Sequence, residues 1–333
     1  MSYDVSIENP RTMADYAYIG IAKHAKKIFK YETRILEEND PENLHQIRVG
    51  MRRLRSVLAS FSSVLKLPGI ITDKRIGRIA RILGRERDAD IIEINLETKY
   101  KPKLSQEEWA KFEEINEKHL EKNGKQFPSS REILKGDDYQ EFKEALQDWL
   151  KNPQFRGLAR VKIEKLLPSI LLPQIGNFCL ESAWIVGATI DENGEVTVVD
   201  NLTEEEIETI IDKKGEDLHN LRKEAKKVRY QLELFQDFYP PEYQDYINFA
   251  KEIQTVLGNV QDNICLLNYL NNLTEKWQRK LPGLQQLIRE SQKEEWQKWQ
   301  QLQRRFFETN CLFNLRQIIN QPSHPQTNGD EIE

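Results

Sequence analysis

Two short segments of this chain carry the residue types that grip phosphate. In the first, His45, Arg48, Arg52 and Arg55 stand at i, i+3, i+7 and i+10. On a helix turning about 100° per residue, these four fall in one stripe within roughly 80° of arc. The second segment repeats the spacing with His219, Arg222, Lys226 and Arg229. Arginine offers forked donors that match phosphate oxygens, lysine a point charge, and a protonated imidazole two further N–H donors.

No acid occurs between residues 44 and 66. The like charges three and four residues apart therefore repel, by a few tenths of a kcal/mol per pair at about helical spacing. A stripe that costs stability and is written twice is better explained by an external anion than by an ordinary solvated face. Such a cluster should depress the imidazole pKa of His45 and His219 in the free protein, and a bound polyanion should raise it. A neighbouring stripe, Lys74, Arg78, Arg81 and Arg85, has Asn248, Glu252, Thr255 and Asn259 at the corresponding later positions, so the two segments are not equivalent there. Lys23, Lys27 and Lys30, with Arg34, form a third stripe, but Glu37 and Glu38 are near and a solvated face explains it equally well.

The elements that must position these residues are helical. Tyr16 to Glu38, Leu44 to Lys66, Asp73 to Lys99 and Ser105 to Asn123 each show apolar residues at three- and four-residue spacing. Leu44, Ile47, Met51, Leu54, Leu58 and Phe61 form a face separate from the first cationic stripe, and Leu218, Leu221, Ala225, Val228, Leu232 and Phe235 do the same for the second. Residues 121 to 157 are polar and punctuated by Gly and Pro, which predicts a long connection holding one short helix from Asp138 to Leu150. Trp184-Ile185-Val186 and Val196 to Val199, around Asp191-Glu192-Asn193-Gly194, predict a two-stranded hairpin closed by an Asn-Gly turn and packed on the helical body. Helices resume from Thr203 to about Tyr239, from Tyr243 to Asn272 and from Leu284 to Asn320, and residues 321–333 read as a disordered tail.

Self-comparison aligns Leu44 to Arg55 with Leu218 to Arg229 at an offset of 174, and Ile82-Leu83-Gly84 with Asp88 onto Val256-Leu257-Gly258 with Asp262 at the same offset. Two separate matches sharing one offset predict an all-α protein. It should contain two pseudo-symmetric four-helix bundles whose halves face a common site, plus the small β-hairpin near 184–200. The expected layout is a single domain over 12–320, its first half at 12–125, the connection at 126–157 and the second half at 158–320. Gly84 and Gly258 are read as allowing close helix packing, and Asp88 and Asp262 as pinning basic side chains or capping backbone groups.

Composition sets outer bounds. The chain has 333 residues, 38% hydrophobic and 31% charged, and a mean hydropathy of -0.69. No apolar stretch approaches 18 residues, which speaks against an integral membrane protein. Met1 to Arg11 lacks the basic flank and apolar run of a secretory signal, so a cytoplasmic location is expected. Cys179, Cys265 and Cys311 are scattered and give neither a disulfide framework nor a zinc site. The net charge of -5 argues, by itself, against a polyanion ligand. Its distribution reverses that inference: residues 44–87 hold eleven Lys/Arg against Asp73 and Glu86, a local +9, which leaves -14 for the rest.

The repeated pattern His-x-(Ile/Leu)-Arg-x-x-x-(Arg/Lys)-(Arg/Lys)-(Leu/Val)-Arg, followed in each half by Leu-Gly-x-x-x-Asp, resembles the conserved histidine α-helical domain (CHAD) family over about residues 12 to 320. The resemblance implies a stand-alone domain whose basic cleft binds inorganic polyphosphate without catalysis. It implies no cofactor or metal, and extends the expected location to polyphosphate granules. It groups Arg53, Lys223 and Lys227 with the other motif cations and the two histidines as ligands. No Glu-x-Glu-x-Lys signature of a triphosphate-tunnel (CYTH) domain occurs, so catalysis by such a domain is not implied. No aromatic-rich basic platform favours nucleic acid, and no membrane partner is expected. A different class, a phosphoryl-transfer or phosphohydrolase enzyme with His45 or His219 as phosphoryl acceptor, has the required positive charge but no evident orienting base or acid cluster.

Overall fold

The computed structural model describes residues 7–38, 40–123, 129–308 and 311–324, with the side chains of 85–91, 120, 122 and 123 outside that description. In the first half, α1 spans Met13–Glu37, α2 Pro41–Ser60, α3 Asp73–Asn95 and α4 Gln106–Asn123. The starts of α2 and α4 are capped by side chains. Asp40 accepts a hydrogen bond from the Glu42 N–H at 2.9 Å with Pro41 behind it, and Ser105 Oγ accepts from the Glu108 N–H at 3.2 Å. The helix expected to run to Lys99 instead changes pitch, continuing from Asn95 as a π-helical turn over Leu96–Tyr100.

The stretch read as a connection contains two helices, α5 (Ser130–Lys135) and α6 (Asp137–Lys151). Leu134, Tyr139, Phe142, Leu146, Trp149 and Leu150 from these helices are buried in the main core. α6 is the short helix expected from Asp138 to Leu150, its buried residues at the three- and four-residue spacing of an amphipathic core helix, whereas α5 was not expected. Lys143 pairs with the buried Glu32 of α1 at 2.8 Å, and Trp149 Nε1 donates to the Lys66 carbonyl at 3.1 Å.

The second half comprises α7 (Leu167–Cys179), α8 (Glu204–Leu234), α9 (Tyr243–Leu273), α10 (Trp277–Lys280), α11 (Pro282–Phe307) and α12 (Cys311–Ile319). A shift of 174 residues carries α2 onto the C-terminal part of α8, α3 into α9 and α4 onto α11. The twelve apolar positions assigned to the two motif helices are all buried. At about 1.5–3 kcal/mol per large side chain removed from water, this face dominates the orientation of each helix. One continuous hydrophobic cluster runs through both halves, joined where Phe61 and its repeat equivalent Phe235 meet edge to face, with ring centroids 5.8 Å apart. A second, smaller core links Leu96 and Tyr100 to α4, α9, α10 and α11.

The hairpin forms from Ala188–Ile190 (β1) and Val196–Val198 (β2), paired antiparallel with Ile190 opposite Val196. Trp184-Ile185-Val186 is therefore not its first strand: Ser182–Ile185 forms a 3-10 turn that buries Trp184. The loop is five residues long, with Asp191 Oδ1 accepting from the N–H groups of Asn193 and Glu195 and Gly194 supplying a φ of 84°. Gln303 of α11 holds the approach by donating to the carbonyls of Trp184 and Val186, both at 2.9 Å. The first residues of the expected tail dock on the body, Ser323 donating its N–H to the Phe238 carbonyl at 2.9 Å; residues 325–333 lie outside the described residues. No helix among the described residues is long and apolar enough to cross a membrane.

Candidate anion-binding site

The apolar faces of α2 and α8 turn into the common core, which leaves their cationic faces to meet where these two helices pack on each other. Lys226 of α8 lies at the centre. Burial pushes its pKa down to about 7, and Arg222, Arg52 and Arg48, in that order, add to the effect by repulsion. Asp262 of α9 opposes the shift. Two of these cations come from α2 and two from α8, so each half supplies part of one charge cluster.

Arg48 and Arg222 are seated in the same way. The Arg48 guanidinium lies over Gly84 of α3, where a Cβ would come within 2.7 Å of Nη2; the Arg222 guanidinium lies over Gly258 of α9, where a Cβ would meet Nε at 3.4 Å. The Leu-Gly segments thus make room for a planar cation of the neighbouring helix, a more specific role than close helix packing. Arg52 has no hydrogen-bonding or ion-pair partner for its guanidinium among the described residues.

His219 heads the α8 stripe. Its pKa is lowered by burial first, then by Lys223, Arg222 and Lys226, while a hydrogen bond with Gln261 acts in the opposite sense. Its Nδ1 is buried with no partner among the described residues. His45 heads the α2 stripe and is partly buried.

Several further motif cations are ion-paired. Arg55 makes a two-pronged ion pair with Asp73, at 2.6 and 2.8 Å, and the Asp73 carboxyl is held below its ordinary pKa chiefly by that bond. Arg53 of α2 and Arg229 of α8 share Glu233, at 2.9 and 3.4 Å, and both lie over the Tyr230 ring, at 5.6 and 4.7 Å. Lys227 pairs with Glu224, and Arg78 with Asp138. Lys74 and Arg81 are exposed on α3, and Lys223 is exposed on α8. Arg85 and Asp88 have side chains outside the described residues.

On α1, Lys27 is partly buried and its pKa lowered by burial and then by Arg53. Lys23 and Lys30 are exposed. Between them the sequence reading missed His24, which is buried and held neutral, its pKa pushed down to about 3 by burial and then by Arg53, Lys23 and Lys27. Its place among Ile21, Ala22, Ala25 and Ile28, all buried, was the available signal. No group of three or more His, Cys, Asp or Glu suited to a metal ion occurs among the described residues.

This arrangement can hold several phosphate groups electrostatically, with two arginine planes fixed by glycines and a lysine whose charge depends on what is bound. The CHAD domain family model matches residues 20–271. Two solved structures share the fold. One is the crystal structure of the CHAD domain from the plant Ricinus communis, 18% identical, covering 97% of this chain and 98% of that one with a TM-score of 0.57. The other is PptA from Streptomyces chartreusis, 13% identical, covering 89% of this chain and 100% of that one, also with a TM-score of 0.57. No curated protein matches the sequence. The matched residues take in both histidine-headed stripes and both glycine seats, and by that span, more than half of its length, the chain belongs to the CHAD domain family.

Proposed function

We propose that this protein binds inorganic polyphosphate in the basic cleft between α2 and α8 and does so without phosphoryl transfer. The observation that carries the reading is the convergence of Arg48, Arg52 and Arg222, from both halves, on Lys226, whose pKa is lowered first by burial and then by the repulsion of these three arginines. A linear polyanion compensates that cost with one charge per phosphate unit, and a thin chain enters a cleft that an acidic exterior closes to bulky duplexes. Arg48 and Arg222 bind phosphate oxygens in their fixed planes, Arg52 and Lys226 bridge the halves, and His45 and His219 donate once the ligand has raised their pKa values. Lys23, Lys27, Lys74 and Arg81 extend the positive field beyond the centre. The site of action we infer is the cytoplasm, at polyphosphate deposits.

Titration of long-chain polyphosphate into wild type and into a His45→Ala, Arg52→Ala, Arg222→Ala triple variant tests this. Affinity should drop by about tenfold or more, with a shallower dependence on salt, by analogy with counterion release from nucleic acids. Unchanged affinity in the variant overturns the site. Competition with RNA should leave polyphosphate bound. Released orthophosphate, or acid-labile phosphohistidine at His45 or His219, would replace binding by the enzymatic reading.

A further inference from the structure

A cavity of about 670 Å3 lies away from α2 and α8, between α4, the C-terminal end of α9 and the short α10. It falls within the range of about 300–1,000 Å3 occupied by small-molecule sites. Its charge is one-sided: Lys111, Lys118, Arg279 and Lys280 face Glu114 as the one acid among its lining residues. Lys111 and Lys118 are engaged by Glu107 and Glu114, at 2.8 and 2.5 Å. Lys280 donates to the Thr274 hydroxyl at 3.1 Å, and the Arg279 guanidinium has no hydrogen-bonding or ion-pair partner among the described residues.

The attraction of cations to the last carbonyls of α9 accounts for Lys280 at Thr274. It leaves Arg279 unexplained. The support beneath these two residues is firm. Trp277 is buried in the second core, with Nε1 donating to Asn271 at 2.8 Å, and the turn into α10 is made by Lys276 at a φ of 58°, a left-handed conformation that costs free energy for a non-glycine residue. Arg279 and Lys280 thus line the cavity from a turn whose backbone is anchored by Trp277. Ile115 and Leu273 add apolar side chains to the lining, and His119 is a further lining residue.

We propose that this cavity binds a small phosphorylated organic anion of mononucleotide size, its phosphate clamped by Arg279 and Lys280 and its organic part laid against Ile115 and Leu273. The site is independent of the polyphosphate cleft and of the reading given to it.

ADP is the probe. Calorimetric titration into an Arg52→Ala, Arg222→Ala variant, whose cleft is weakened, should show one saturable site. Adding Arg279→Ala and Lys280→Ala should weaken it by about tenfold or more, as expected for loss of charge-assisted phosphate contacts. Both added substitutions are at exposed positions, and a separate Arg279→Ala, Lys280→Ala variant should keep wild-type melting and polyphosphate affinity. On the wild-type protein, saturating ADP should protect backbone amides within 272–280 from hydrogen exchange. Absence of saturable ADP binding, insensitivity to the Arg279 and Lys280 substitutions, or protection confined to 44–55 and 218–229 overturns the site. Pyrophosphate binding as tightly as ADP overturns the organic half of the proposal.

Discussion

The guanidinium of Arg48 rests on the bare Cα of Gly84, and a methyl group there would stand 2.7 Å from Nη2. Arg222 rests on Gly258 with more room, 3.4 Å from Nε. The same sequence motif therefore predicts two different mutational outcomes. Alanine gains up to about 1 kcal/mol over glycine in a helix. Gly258→Ala should raise the melting temperature with little change in polyphosphate affinity. Gly84→Ala should leave stability nearly unchanged, because a flexible side chain can move, yet weaken binding by displacing Arg48. Equal binding by both variants would show that the Arg48 plane is not used.

Lys226 should make the proposed binding depend on pH. Its folded pKa, about 7, lies below the 10.5 of an ordinary lysine, so between those values the unfolded chain holds a proton that the folded chain has shed. Stability should therefore rise with pH across that window, with the full cost of the buried charge present below it. Binding runs the other way. Polyphosphate bound at the proposed site should restore the charge by taking up a proton, and should therefore bind more weakly as pH climbs from about 7 to 9. Lys226→Arg, which stays charged, should flatten that dependence in titrations at several pH values.

Ion pairing separates cations that look alike on the helical wheel. Arg52, without a partner among the described residues, should lose affinity and reduce the salt slope by about one unit when changed to Ala. Arg55→Ala should do less to binding, because Asp73 already neutralises that guanidinium. Binding curves at several ionic strengths distinguish the two.

Glu233 restrains two arginines at once. Glu233→Gln should tighten polyphosphate binding by releasing Arg53 and Arg229 while lowering stability, as their repulsion is no longer offset. A melting curve and a binding titration on the same variant read the two opposite signs.

The Lys143–Glu32 pair ties α6 to α1 where Glu32 is only 3% exposed. Lys143→Met should destabilise the fold by about 2 kcal/mol, below the loss at a fully buried pair because the lysine retains some solvent. Lys143→Met combined with Glu32→Leu should recover most of it in denaturant unfolding.

The features legible in the sequence were local or periodic. The 174-residue offset follows from comparing the sequence with itself, and the separation of Leu44, Ile47, Met51 and Leu54 from Arg48, Arg52 and Arg55 follows from spacing along one helix; both are present in the fold. The hairpin was legible as a hairpin, but its strand was misplaced because Trp184 has strand-forming neighbours and is instead drawn into the core. Which acids reach which cations is settled by packing. Glu233 reaches Arg53 across 180 residues and Asp138 reaches Arg78 across 60, whereas Arg48, Arg52, Arg222 and Lys226 crowd together. Charge on a side chain is written in the sequence, but its neutralisation depends on which acids packing brings within a few ångströms, and helical periodicity carries no information about that.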